Sequence, residues 1–328
     1  MKIEPLVSVI VAVSTDEETI YGCIESIMEQ SYHNLEIILV IDDSYDRINI
    51  ICNNIALMDN RIRIINIDPD MKDNEASNIS AFYEGLRHAA GSYAVFVDSG
   101  DRLHNDMIRI LTGICVKHQC QIACCRTGMR KKSGSLRLSK RGSIRVYRKN
   151  AAFLSRKFTC ELYGKIFNTA LFEDEDLCRS DLCLYPLYYR AGKISVTEKI
   201  MYFRNDESFT LDDKQIRFDA VFNYYKERIR YFKKKDKNLS DLSHEYFCEF
   251  LADYYIYQLI NREEAGSPEK TCAEFKREYG IVRYNAITPV ITKLRLGFIY
   301  HIPKLYAVLI KIFRIRMDLI MSKNLKRL

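Results

Sequence analysis

Residues Val7 to Val13 form a nearly unbroken apolar run rich in β-branched side chains, and Glu36 to Ile41 form a second. A strand apolar at every position suits a parallel sheet covered on both faces, because a half-solvated strand would alternate with polar residues. Between the two runs, Ile20, Cys23, Ile24, Ile27 and Met28 recur at helical spacing, which completes one βαβ unit. The alternation continues with a helix through Ile48, Ile51, Cys52 and Ile55 and a strand from Arg61 to Ile67. A helix through Ile79, Phe82, Tyr83, Leu86 and Ala90, closed by Gly91, then leads to a strand from Tyr93 to Val97. Strands alternating with helices predict an α/β fold with a doubly wound, mostly parallel, Rossmann-like sheet.

The chain is 328 residues long, which at roughly 150 residues per domain suits one large domain with an appendage. Beyond about residue 215 the periodicity is helical, through Tyr224, Tyr225, Ile229 and Phe232 and then Tyr246, Phe247, Phe250, Leu251, Tyr254, Tyr255 and Leu259. We therefore divide the chain into an α/β domain, 1–215, and a helical C-terminal region, 216–328. The tyrosines of that region are expected to cover the sheet domain, in preference to forming a sugar platform. With 48% hydrophobic and 28% charged residues, the composition excludes general disorder. No apolar stretch of about 18 residues predicts a membrane span. The N-terminus lacks the charged, apolar and cleavable order of a secretory signal, and eleven scattered cysteines do not form a disulfide framework, so the expected compartment is cytoplasmic. Cys115, Cys120, Cys124 and Cys125 lack a Cys-x-x-Cys pair and read as buried thiols, not a zinc site.

The net charge of +7 is concentrated in the tail: Lys293 to Leu328 holds nine Lys or Arg and one Asp, a local +8, leaving about −1 elsewhere. From Lys304, the apolar Leu305, Val308, Leu309, Ile312, Phe313 and Ile320 share one face, and Lys304, Lys311, Arg314 and Asp318 another. Such a helix suits either the plane of an anionic membrane or a protein contact with a basic rim. Residues 126–149 hold ten Lys or Arg and no acid, but Tyr147 is their only aromatic. We read this run, with the alternation in 135–139, as an exposed strand pair and solvated face, and expect no nucleic-acid partner. The cluster at 233–237 reads as a loop between helices.

Ligands of such sheets sit outside the carboxyl ends of the strands. There the chain places Asp42 and Asp43 after one strand and Asp98 and Asp101 after another, with no Gly-x-Gly-x-x-Gly after the first. Carboxylates at these ends suit a divalent cation bridging to phosphate oxygens; they also suit ordinary turn chemistry.

Several segments together resemble the opening of the family-two glycosyltransferases, which have the GT-A fold. They are Val7 to Val13, Cys23-Ile24-Glu25-Ser26-Ile27, Gln30-Ser31-Tyr32, Asn34 to Val40, and Gly91 to Asp101. The match is dense over residues 5–107 and returns over about 160–210, in Leu162 to Phe167 and Leu171-Phe172. The resemblance implies transfer of a sugar from a nucleotide diphosphate donor, a UDP-sugar first among them, to a glycan or lipid-linked acceptor, usually with inversion. It places Ala12, Val13, Ser14, Asp42, Asp98 and Ser99 at the nucleotide sugar, Asp42 at the base. It also places a magnesium or manganese ion on Asp98 and Asp101. Asp181 falls where the family has its catalytic base, and its type equally suits a helix N-cap.

Four positions depart from the family pattern. The common Asp-Ser-Asp-Asp is Asp98-Ser99-Gly100-Asp101, the Arg-Asn pair is Phe82-Tyr83, the Pro-x-Tyr-Asn is Ala12-Val13-Ser14-Thr15, and the Glu-Asp before the base helix is Ser180-Asp181. Two outcomes stay open: an enzyme of surface polysaccharide synthesis, peripheral at the inner face of the plasma membrane through residues 293–328, or a relative that kept the fold and serves as a partner or membrane-binding module.

Overall fold

The computed structural model describes residues 4–13, 17–42, 46–67, 77–129, 142–148, 151, 153, 162–173, 184–205, 213–261 and 268–312. The chain forms two units, residues 1–152 with 162–207 and residues 153–161 with 208–328.

In the first unit, β1 (Val7–Ala12) lies between β2 (Leu35–Asp42) and β4 (Tyr93–Asp98), parallel to both, and β3 (Ile62–Ile67) extends the parallel half beyond β2. The other half is mixed: β8 (Lys165–Asn168) pairs antiparallel with β4 and with β6 (Ile122–Met129). β6 in turn runs parallel to β9 (Lys193–Arg204). The two-residue β5 (Arg102–Leu103) and β7 (Ile144–Arg148) both pair antiparallel with β9. The full order is β3-β2-β1-β4-β8-β6-β9-β5, with β7 on β9.

The apolar runs behave as their composition demands. Every residue of β1 is buried. Val7, Val9 and Val11, with Ile37, Leu39 and Ile41, meet α1 (Glu17–Met28), α2 (Asp46–Ala56) and α4 (Met107–His118) in one core. Alternate residues point the opposite way. There α3 (Ser77–Arg87) lays Phe82 edge-on to Phe96 at 5.2 Å, so helices cover both faces. The departure Phe82-Tyr83 thus lies inside α3, and Phe82 is core. Gly91 does not cap this helix, which ends four residues earlier. Instead its N–H reaches Ser8 Oγ (2.9 Å) and Glu36 Oε1 (3.0 Å), and a Cβ there would stand 2.7 Å from Ser8 N and 2.9 Å from Leu6 O. Glycine is required for that close approach.

The second unit is helical. α6 (Asp213–Lys233) and α7 (Lys237–Ile260) are joined across the expected basic loop, and Asp236 caps α7 by accepting from Leu239 N (3.1 Å). α8 (Glu269–Val282), α9 (Val290–His301) and α10 (Pro303–Ile312) follow. Of the tyrosines expected to cover the sheet, Tyr254 is buried in this unit's own core, with Tyr225 and Tyr255 packed against it; Phe218 stacks on Tyr254 at 3.9 Å, and Phe222, Phe247, Phe250 and Phe275 are buried around them. Two buried clusters of charge in this unit are paired. Arg295 reaches Asp253 and Tyr306, and His244 meets Glu278 at 2.6 Å.

Part of the basic run at 126–149 is β7, an exposed strand, while 130–141, including the alternation at 135–139, lies outside the described residues. So do residues 313–328 of the tail. Cys115, Cys120 and Cys124 are buried and Cys125 is half-buried, and burial pushes the Cys124 thiol up to about 11.

Candidate active site

The register of the parallel strands sets Ala12, the last residue of β1, opposite Asp98, the last residue of β4. Beyond that pair the chain turns sharply. Ser99 N donates to Ala12 O (3.2 Å), Asp101 N donates to Asp98 O (2.9 Å), and Gly100 N donates to Asp98 Oδ1 (3.0 Å). On the other flank of β1, Val13 N donates to Val40 O (3.0 Å). Ala12, Val13, Asp98, Ser99 and Asp101 are thereby gathered at the carboxyl ends of β1 and β4. Asp42 ends β2, but its side chain lies outside the described residues, as do Ser14, Asp43 and Asp181. The helix that follows Asp181, α5, spans Leu184–Arg190 and buries five successive residues, Leu184 to Tyr188.

The turn is anchored from β9. The Tyr202 hydroxyl donates to Asp101 Oδ2 (2.6 Å) and accepts from Asp98 N (3.2 Å), while Asn205 N donates to Asp101 Oδ1 (2.9 Å). Asp101 is only 5% exposed, and Tyr202 is fully buried. Burial raises the Asp101 carboxyl to about 6; the bonds from Tyr202 and Asn205 oppose that rise, and the neighbouring Asp98 adds to it. Burial and the Asp101 carboxylate push the Tyr202 hydroxyl well up, so it remains a donor. Tyr163 stacks on Tyr202 at 5.6 Å, and Arg204 lies 5.6 Å over the Tyr163 ring.

The floor of the turn is α1. Cys23 Sγ donates to Asp98 O (3.4 Å), and the Arg102 guanidinium occupies the space that a Cβ on Gly22 would fill. Among the described residues, Arg102 Nε is buried with no hydrogen-bond partner. Tyr202, Asn205 and Arg102 are the site residues that sequence reasoning did not single out. Nothing in the sequence of β9 points across to position 101.

The two aspartates are unequal as cation ligands. Both Asp101 oxygens already accept protein hydrogen bonds, whereas Asp98 is half-buried at the strand end. Among the described residues no three His, Cys, Asp or Glu side chains come close enough to hold an ion between them. Two carboxylates at strand ends are the donor type that a magnesium-like ion shares with substrate phosphates.

The family model described as glycosyl transferase family 2 matches residues 8–179, more than half of the chain. The chain belongs to that family, and its α/β architecture is the GT-A fold. Glycosyltransferase GlyA of Streptococcus pneumoniae serotype 4 is 35% identical over 124 residues, which cover 38% of this chain and 17% of GlyA. Escherichia coli WfaP, a UDP-Glc:alpha-D-GlcNAc-diphosphoundecaprenol beta-1,3-glucosyltransferase, is 37% identical over 97 residues, 29% of this chain and 36% of WfaP. The match therefore spans well under half of either relative. Among solved structures, Staphylococcus aureus TarS 1-349 in complex with UDP superposes with a TM-score of 0.57 at 16% identity, covering 89% of this chain and 86% of TarS. The mannosyltransferase PcManGT of Pyrobaculum calidifontis, in complex with GDP-Man and Mn2+, gives 0.59 at 15% identity, covering 99% and 86%. At such identities these two show likeness of fold.

Proposed function

We propose that this chain transfers a hexosyl group from a nucleotide diphosphate donor, a UDP-sugar first among the candidates, to a hydroxyl of a glycan or lipid-linked acceptor, with inversion, in surface polysaccharide synthesis. The observation that carries the reading is the tied turn at the carboxyl ends of β1 and β4, inside the stretch matched by the family. The ligands named for TarS and PcManGT and the acceptor named for WfaP support it.

In this reading Ala12, Val13 and Ser14 line the nucleotide together with Ser99, and Asp42 recognises the base. Asp98 holds a magnesium or manganese ion with the donor diphosphate, and Asp101 is its second, more buried partner. Bound there, the ion would act as a Lewis acid that offsets charge on the departing diphosphate. The acceptor oxygen attacks the anomeric carbon from the face opposite the diphosphate, and its proton passes to the Asp181 carboxylate. The carbon–oxygen bond to the diphosphate breaks, with its electron pair leaving on oxygen. The clamp through Tyr202 and Asn205 holds Asp98 in place before the donor arrives, so less ordering remains to be done on binding. We place the reaction in the cytoplasm, peripheral at the inner face of the plasma membrane; no helix among the described residues is long and apolar enough to cross a membrane.

The test is release of UDP from a panel of UDP-sugars with manganese, supplied with lipid-extracted glycan acceptors. Metal-dependent release that is lost in Asp98→Asn is expected; equal release by that variant would contradict the reading. Gly100 favours a second one, a relative that binds without turnover, because a carboxylate is missing where the family usually has one. A Cβ at Gly100 meets nothing closer than 3.6 Å, so a side chain can be started there without a backbone clash. If Gly100→Asp raises donor hydrolysis from a negligible level, the native chain is the non-catalytic form.

A further inference from the structure

The helical unit leaves one set of large apolar side chains uncovered. On α9, Leu296 and Ile299 point into the unit's core, while Val290, Ile291 and Leu294 stand 73%, 75% and 66% exposed. Those three recur at i, i+1 and i+4, one continuous side of the helix opposite the buried one. α10 repeats the arrangement: Ala307 and Ile310 are buried, and Leu305, Val308 and Ile312 are 49%, 50% and 66% exposed beside the exposed Lys304 and Lys311. The two helices meet through Phe298 and Tyr306, whose rings lie 5.7 Å apart. Ahead of α9, Tyr284 is 76% exposed, with the Arg283 guanidinium 4.5 Å from its ring.

Charge says what can cover this surface. From Tyr279 to Ile312 there are five Lys or Arg and no Asp or Glu. Arg295 is taken up by Asp253, which leaves Arg283, Lys293, Lys304 and Lys311 around the exposed apolar residues. A second copy docking by the same face would set these cations against their own equivalents. A bilayer with anionic headgroups accepts both features at once, the aliphatic side chains below the phosphates and the lysines and arginines among them, with tyrosine at the boundary.

We propose that the outer faces of α9 and α10, with Tyr284, form a docking surface for an anionic lipid bilayer. This deepens the membrane-peripheral placement above and rests on that reading. It assigns the contact to a folded face that begins near Arg283 and takes in the first part of residues 293–328.

The test is flotation of the full chain with vesicles of phosphatidylcholine alone and of phosphatidylcholine mixed with phosphatidylglycerol. Two variants are compared with the wild type, Ile291→Glu with Leu294→Glu, and Lys304→Glu with Lys311→Glu, each confirmed folded by circular dichroism. Wild type should float with the anionic vesicles, and each double variant should bind them about tenfold or more weakly. Absence of flotation by the wild type, or flotation of the Ile291/Leu294 variant at the wild-type level, would overturn the proposal. So would a wild type that stays in solution as a dimer and becomes monomeric in that variant, since a second copy would then cover the face. Calorimetric titration of UDP into all three proteins separates this result from the transferase reading: flotation without UDP binding keeps the docking surface and removes the donor site.

Discussion

The two ends of β1 are tied by carboxylates in different ways, by half-buried Glu36 at one and by buried Asp101 at the other. At the amino end Glu36 Oε1 accepts from Ser8 Oγ (2.6 Å), Ala90 N (2.6 Å) and Gly91 N (3.0 Å), and Ser8 Oγ also accepts from Gly91 N. Among the described residues no second carboxylate joins the donors in that network. At the carboxyl end Asp101 also accepts two hydrogen bonds, yet burial raises its carboxyl to about 6, and the neighbouring Asp98 adds to that rise. One end is arranged for stability; the other keeps two acids close together at a cost. Such a concentration of negative charge is useful where a cation and a diphosphate are to be bound.

Substitutions at the two ends should therefore separate stability from binding. The largest effect is expected from Gly91→Ala, whose Cβ would press on the backbone of Ser8 and Leu6. Thermal or urea unfolding should show a loss of about 3 kcal/mol, with UDP affinity kept by the folded fraction. A loss of affinity as large as the loss of stability would erase the distinction between the ends.

The pH dependence comes next. Because the folded Asp101 carboxyl is raised to about 6 from its ordinary value of 3.8, the native state holds its proton more strongly than the unfolded chain does. Asp101 therefore lowers stability as pH rises from about 4 to about 6, by about 2–3 kcal/mol in total. In chelator, the difference in unfolding free energy between wild type and Asp101→Asn should change across that window. A constant difference would contradict the assigned burial.

Tyr202→Phe should cost about 2 kcal/mol, because it strands Asp98 N and Asp101 Oδ2 in a buried place. It should also carry the Asp101 transition to higher pH, which a simple packing defect would not do. The smallest effect on stability belongs to Asp98→Asn, within about 0.5 kcal/mol. Here the change should appear in binding, as loss of the metal-dependent part.

The parallel half of the sheet was legible because its strands are apolar on both faces and its helices keep strict spacing, both local properties of the chain. The mixed half was harder to read. β5 has two residues and exists because Arg102 and Leu103 find β9 about a hundred positions later. Asp98 and Asp101 could be found from strand-end chemistry and from the family resemblance, but the inequality between them could not. It depends on Tyr202 and Asn205, which no periodicity connects to the turn. Gly91 was read as a helix stop because glycine commonly plays that part, and its actual work is a close approach to β1, visible only in three dimensions. The tyrosines of α6 and α7 showed the right helical spacing with the wrong destination, since spacing identifies a buried face and not what buries it.

The central claim is that the turn after β4 is a metal-assisted donor site resting on Asp98. Its most direct test is calorimetric titration of UDP into wild type and Asp98→Asn, with manganese and then with chelator. Binding by the wild type that needs manganese, and is lost in Asp98→Asn while the variant melts as the wild type does, is the predicted result. Binding that is indifferent to both manganese and Asp98, or no binding of UDP by the wild type, would contradict it.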